Sequence, residues 1–214
     1  MSPRVTLIGA VAAMIVSGVV LYRTFSKSNP VDGATENLFQ AYTQVTADEI
    51  SRLLGGHGDV VVLMWGAPSD DATFPDGPPA VQALCQALQG HGLHVTKDRV
   101  TPVREGREVA WTAENYRSVL ESHSQATALI SFVGSPQLTD DNIRALPSPR
   151  PKLIVVRLAK LETARPLLQQ GVVDAAVLPQ TDAPSIGHPP KTAREWFDKY
   201  YIFATPTTVA QLSE

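Results

Sequence analysis

Between residues 46 and 208 the chain alternates short, continuous apolar runs with stretches in which apolar positions return every three or four residues. The runs are DVVVLMW (59–65), LHVTKDRV (93–100), ATALISFV (126–133), KLIVVRL (152–158) and VVDAAVLP (172–179). Continuous β-branched runs of this length suit strands buried on both faces, and the more polar second run suits a position near an edge. In the stretch 80–90, Val81, Leu84, Cys85 and Leu88 fall on one helical face, and prolines 78 and 79 stand where a helix can begin. Thr112 is placed to cap a helix over 113–123, and Thr139 one over 140–146. Thr46, with Glu49 in the capping-box position, predicts a short helix that Gly55, Gly56 and Gly58 stop. A further helix over 161–171 carries Pro166, which interrupts or kinks it. Gly106, in the sequence REGRE, marks a turn after the second strand. Past residue 180 come a long connection, a last helix over 192–201 and an extended piece over 202–208. Five strands alternating with helices predict an α/β fold: a doubly wound, mostly parallel five-stranded sheet, Rossmann-like or flavodoxin-like, with helices on both faces.

A different pattern precedes it. Residues 5–22, VTLIGAVAAMIVSGVVLY, carry no charge. As a helix the run covers roughly 27 Å, close to the hydrocarbon thickness of a bilayer. It is longer than the about 7–15 residues of a cleaved signal peptide's core, and no small-x-small cleavage site follows, so it reads as an uncleaved signal anchor. The fold is thus expected to be preceded by one transmembrane helix. Arg4 on one side nearly balances Arg23 and Lys27 on the other. A short amino-terminal tail before a large domain favours export, which makes this a single-pass protein of the cell membrane with an extracytoplasmic domain. Gly9, Ala13 and Ser17 recur at every fourth position, and small residues so spaced let another helix approach closely in lipid. Chance spacing of common small residues is the alternative. Residues 26–45 are polar, with Pro30 and Gly33 set to break a long helix, and read as a tether. The expected organisation is an anchor (1–25), a tether (26–45) and one α/β domain (46–214).

Charge and composition narrow the classes of function. Eighteen Lys and Arg against 21 Asp and Glu give a net charge of −3, with no basic excess of the kind nucleic acid requires. One cysteine, Cys85, excludes an intramolecular disulfide framework and a Cys-based zinc cage, and its place in the apolar stripe makes it core packing. The five histidines, 57, 91, 94, 123 and 188, show no metal-ligand spacing, so no metal and no cofactor is expected.

In an open α/β sheet ligands bind beyond the carboxyl ends of the strands. The candidates there are Trp65, Ser69, Asp70, Asp71, Ser135, Arg157, Gln180 and Asp182. Asp70 and Asp71 could orient a hydroxyl or hold a cation, or form a solvated acidic turn. Ser69 lacks a G-x-S-x-G elbow, and GAPSDD is neither a dinucleotide fingerprint nor a P-loop, so no catalytic residue is assigned. Trp65 ends its strand, where it could floor a pocket or pack beneath a loop. Trp196, Phe197, Tyr200, Tyr201 and Phe203 cluster near the carboxyl terminus and would cover the sheet or anchor an interface.

The stretch 60–158 resembles the first lobe of type I periplasmic binding proteins. VVVLMWGAPSDD followed by AVQALCQALQGHGLHV looks like the opening strand, helix and second strand of that lobe. ATALISFVGSP and PKLIVVRL are similar to its next strand pair, and VVDAAVLPQTD to a strand ending at the ligand crevice. A clamshell of that kind needs a second lobe of about 100 residues. Only 180–214 follow, so a single lobe used as a docking surface is the expectation. The leading reading is therefore a non-catalytic, membrane-anchored accessory subunit of a larger membrane complex, meeting other subunits through its membrane helix and its carboxyl-terminal aromatic helix. The alternative is a small-ligand-binding or hydrolytic domain using the strand-end loops. Changing Gly9 and Ala13 to Leu should release other membrane subunits from the protein on a native gel after mild-detergent extraction. Unchanged comigration would remove the small-residue face as the contact.

Overall fold

The computed structural model describes residues 30–66, 79–101, 103–105, 108–156, 161–180 and 190–212. The chain divides into two units, Met1–Asn37 and Leu38–Glu214. Of the first, the described part is the opening of helix α1 (Pro30–Leu54). The second holds the sheet and all other elements.

The apolar runs form the strands they predict. After α1 come β1 (Asp59–Trp65), α2 (Pro79–Gly90), β2 (His94–Val100), the short strands β3 (Val103–Glu105) and β4 (Glu108–Ala110), and α3 (Ala113–Ser122). Then follow β5 (Ala128–Ser131), α4 (Asp140–Arg144), β6 (Lys152–Val155), α5 (Leu161–Gln169) and β7 (Ala175–Pro179). The chain finishes with α6 (Ala193–Tyr200), β8 (Tyr201–Ala204) and α7 (Pro206–Val209). The sheet order is β2-β1-β5-β6-β7-β8. The first five are parallel, in register from Val60 opposite Ala128 to Val155 opposite Ala176.

Alternation along each strand divides the core into two layers. Val60, Val62 and Met64 of β1 join Ile130 of β5 and Ile154 of β6 beneath α1, α2 and Phe197 of α6. Val61 and Leu63, with Leu129 and Leu153, face α3, α5 and Val209 of α7. Threonines 112 and 139 cap where the sequence places them, and Thr192 caps α6 as well: each accepts the N–H three residues on. Gly58 turns the chain into β1 at φ +126°, and a Cβ there would meet Thr127 Oγ1 at 2.4 Å.

Three expectations are corrected. The sheet has six strands, because the extended piece near the end returns as β8 and pairs antiparallel with β7, Pro179 opposite Tyr201. On either side of Gly106, which itself lies outside the described residues, the short strands β3 and β4 pair antiparallel as a separate two-stranded sheet that the sequence pattern did not announce. Pro30 and Gly33 do not break a helix. Proline begins α1, where its missing N–H costs nothing, and one glycine costs only about 1 kcal/mol within 25 residues of helix. Thr46 is consequently no cap. It lies inside α1, fully buried, with its hydroxyl unpartnered among the described residues.

Helix α1 packs on the sheet from Leu38 onward. Ala41, Val45 and Ile50 are buried, Arg194 of α6 pairs with Glu49, and the ring of Tyr42 meets that of Tyr201 edge-on at 5.0 Å. Of the carboxyl-terminal aromatics, Phe197 is core and Tyr200 is exposed, stacked on Trp196. Placing a carboxylate at buried Val45 (Val45→Asp) should lower stability by about 3 kcal/mol or more, through an unpaired buried charge. The same change at exposed Gln44 should stay within about 0.5 kcal/mol. Urea unfolding of the two variants measures the difference, and equal midpoints would refute α1 as part of the core.

Candidate functional site

The order of strands reverses direction at β1 and β5. From β1 the chain proceeds to β2 on one side, and from β5 to β6 on the other. Such a reversal opens a crevice at the carboxyl ends, because the two connections leave in opposite directions.

The β1 side is held by its neighbours. Trp65, half-buried, packs against the layer that contains Val61 and Leu63, and the Gly66 N–H donates to the Val100 carbonyl at 2.9 Å. The β5 side turns sharply. Ser131 is completely buried; its hydroxyl donates to the Gly134 carbonyl at 2.6 Å, and its own carbonyl accepts the Val156 N–H at 3.0 Å. Gly134 takes φ +90°, a conformation that favours glycine, and so delivers half-buried Ser135 to the rim. At the end of β6 the Tyr42 hydroxyl of α1 donates to the Val156 carbonyl. Beyond β7, the Gln180 N–H donates to the Tyr200 carbonyl at 2.9 Å.

Three sequence-selected residues therefore stand at this edge. Trp65 ends β1, and Ser135 follows the end of the adjacent strand β5. Gln180 follows β7, two strand spacings from β5, or roughly 10 Å. Ser69, Asp70, Asp71, Arg157 and Asp182 lie outside the described residues, as do Gly9, Ala13, Ser17 and the whole apolar run 5–22. Among the described residues no helix is long and apolar enough to cross a membrane.

Three residues of this edge escaped the sequence reading. Ser131 was visible as the lone hydroxyl inside an apolar run. Tyr42 belongs to a helical series with Leu38, Ala41 and Val45 that the polar neighbours obscured. Trp111 is 2% exposed, and its carbonyl accepts the Gln137 N–H of the loop after β5 at 2.8 Å. Its ring meets Tyr116 edge-on, centroids 5.2 Å apart. Neither the Trp111 indole N–H nor the Tyr116 hydroxyl has a partner among the described residues.

The remaining polar groups offer no further chemistry here. His91 pairs with Asp48 at 2.8 Å, His94 with Asp59 at 3.0 Å and His123 with Asp98 at 2.7 Å, while His57 meets the Gly55 carbonyl. Among the described residues no group of three His, Cys, Asp or Glu could hold a metal. Burial pushes the Cys85 thiol above its ordinary range, which makes it a poor nucleophile. Burial likewise raises Tyr42, and raises Tyr116 to about 12, with the distant Arg150 pulling down and Asp174 pushing up.

The architecture has known counterparts. A LacI-type transcriptional regulator from Bacteroides fragilis superposes with a TM-score of 0.52 at 10% identity, over 82% of this chain and 62% of that one. AraP, an arabinose-binding protein from Geobacillus stearothermophilus, gives 0.48 at 14% identity, over 83% and 64%. A sugar-binding protein of a sugar ABC transporter from Bacillus halodurans gives 0.47 at 14%, over 82% and 64%. The match to the regulator, above 0.5, shows that this α/β fold recurs in a solved protein. At these identities the likeness is one of fold alone, and the chain spans less than two thirds of each neighbour's length. No family model matches the sequence, and no curated protein matches it.

Tyr116→Phe should raise stability by about 1 kcal/mol, because it removes a buried hydroxyl that has no partner. The alkaline limb should change as well. A phenol whose folded value lies above its unfolded value of 10.0 contributes stability that is complete below pH 10 and lost as pH rises through about 12. Urea midpoints at pH 8 and pH 11 should therefore fall less in Tyr116→Phe than in the parent. A destabilised variant with an unchanged alkaline limb would contradict both statements.

Proposed function

We propose that this chain is a small-ligand-binding α/β domain that receives its ligand in the crevice between the carboxyl ends of β1 and β5. The observation that carries this reading is the reversal of strand order at those two strands, with half-buried Trp65 on one side and Ser135 on the other. Trp65 would supply an apolar platform and Ser135 a hydroxyl, and Asp70, Asp71 and Arg157, which follow β1 and β6 in the sequence, would be further polar groups. Hydrolysis is disfavoured, because a serine nucleophile needs an adjacent base and the described histidines are engaged elsewhere with carboxylates or a carbonyl.

A second reading rests on a separate observation, the uncharged run 5–22 with Gly9, Ala13 and Ser17 at every fourth position. In it the run anchors the domain to the cell membrane, with the domain outside the cytoplasm, and the protein serves as an accessory subunit of a membrane complex. The two readings are compatible, since a tethered domain can hold both a ligand and a partner.

The full chain in detergent, tested by thermal shift and calorimetry against D-arabinose, D-glucose, D-galactose and a set of amino acids, decides the first. One class should raise the melting temperature saturably, and Trp65→Ala should weaken it at least tenfold. No response across the panel would refute ligand binding of these kinds, and an unaltered affinity in Trp65→Ala would move the site elsewhere.

A further inference from the structure

Among the described residues three large apolar side chains stand exposed: Phe39, Val103 and Tyr200. All three belong to the carboxyl end of the sheet. Phe39 lies one helical turn before Tyr42, whose hydroxyl reaches the Val156 carbonyl just past β6. The Tyr200 carbonyl accepts the N–H of Gln180, the residue after β7, at 2.9 Å. Val103 comes three residues after Val100, which closes β2 opposite Trp65 at the close of β1. These side chains do not form one patch, since the ends of β2 and β7 stand four strand spacings apart, or roughly 20 Å. A protein partner reads a contiguous apolar area. Separate apolar side chains along one edge suit a flat interface that receives each where it falls, as the boundary of a bilayer does.

The chemistry around Tyr200 matches such a boundary. Half-buried Trp196 stacks on it with centroids 6.3 Å apart, and Lys199 Nζ lies 5.4 Å from its ring. Neither Trp196 nor Tyr200 belongs to a core layer. Rings with a polar end and a long cationic side chain are accommodated where headgroups meet hydrocarbon. The opposite end of the sheet is built instead of ion pairs, Asp59 with His94 at 3.0 Å and Asp174 with Arg150 at 3.3 Å. Those charges would lose hydration against lipid, which disfavours that end. The chain also enters the second unit at the carboxyl end, because Leu38 directly precedes Phe39. Fifteen residues, 23–37, separate Leu38 from the uncharged run. Fully extended, they reach about 50 Å, little more than the width of a domain of this size. An anchor in that run would hold the entry end nearest the membrane.

We propose that the carboxyl end of the sheet is the face this domain lays on a bilayer, with Phe39, Val103 and Tyr200 entering the headgroup boundary and Lys199 reaching lipid phosphates. Glu114, Asp140, Asp141 and Glu162 open α3, α4 and α5 at the same end and repel an anionic surface, so the surface that fits is zwitterionic. The inference rests on the reading of 5–22 as a membrane anchor, and adds which way the anchored domain faces.

The full chain in phosphatidylcholine vesicles tests it, with the fluorophore NBD attached to single cysteines. Phe39→Cys, Val103→Cys and Tyr200→Cys report on the proposed face. Gln89→Cys and Glu121→Cys, exposed in the last turns of α2 and α3, report on the opposite end. Native Cys85 is buried and escapes the label. A doxyl-labelled lipid should quench the first three at least twofold more than the last two, and replacing half the lipid by phosphatidylglycerol should weaken that quenching. Equal quenching at all five positions, or none at any, in a chain that stays with the vesicles through an alkaline carbonate wash would overturn the inference and leave the anchor standing. Labels at 39, 103 and 200 shielded from iodide yet beyond reach of the doxyl lipid would place a protein on this face, and would overturn it equally. Release of the chain by the carbonate wash would remove the anchor, and this inference with it.

Discussion

Everything in this molecule follows from a sheet whose central strands are apolar on both faces. Every side chain of β5, and all but the terminal residues of β1 and β7, are buried. Such strands cannot leave either face in water, so a helical layer on each side is obligatory and the connections must cross over. Crossing in a parallel sheet then forces a point where successive connections depart in opposite directions. The reversal of strand order is thus a geometric by-product of burial, present whether or not chemistry has been placed there.

Helix α1 shows how far the need for cover extends. It precedes the first strand and takes no part in any crossover, yet Ala41, Val45 and Ile50 are as buried as the strands they cover. Its Tyr42 also satisfies the carbonyl of Val156, beyond the last residue of β6. A buried carbonyl left open there would carry a desolvation cost with no hydrogen bond in return. One helix therefore contributes to the core and to the finishing of the sheet's carboxyl-terminal edge.

The sequence made the architecture legible where a single physical signal dominated. Continuous β-branched runs such as 59–65 and the stripe of Val81, Leu84, Cys85 and Leu88 admit one reading each. Legibility failed where two signals competed. Pro30 and Gly33 marked a break, and the weaker series Leu38, Ala41, Tyr42 and Val45, which the fold obeys, was overlooked. The piece that became β8 was readable as extended, but local pattern carries no information on direction or partner, so its antiparallel return was not. The site was less legible still. The positions of Trp65 and Ser135 near strand ends were readable because strand ends are predictable, whereas Ser131, Tyr42 and Trp111 are placed by tertiary hydrogen bonds and burial that no local spacing encodes.

The two margins of the sheet differ in kind. At one, β2 offers seven residues of backbone and carries Lys97, Asp98 and Arg99 in succession, on alternate faces. At the other, β8 is apolar but only four residues long. A stranger's strand would meet a charged template on one side and a short one on the other. Orderly growth by edge-to-edge stacking is thereby discouraged twice, once by electrostatics and once by brevity, and the sheet remains a finite object.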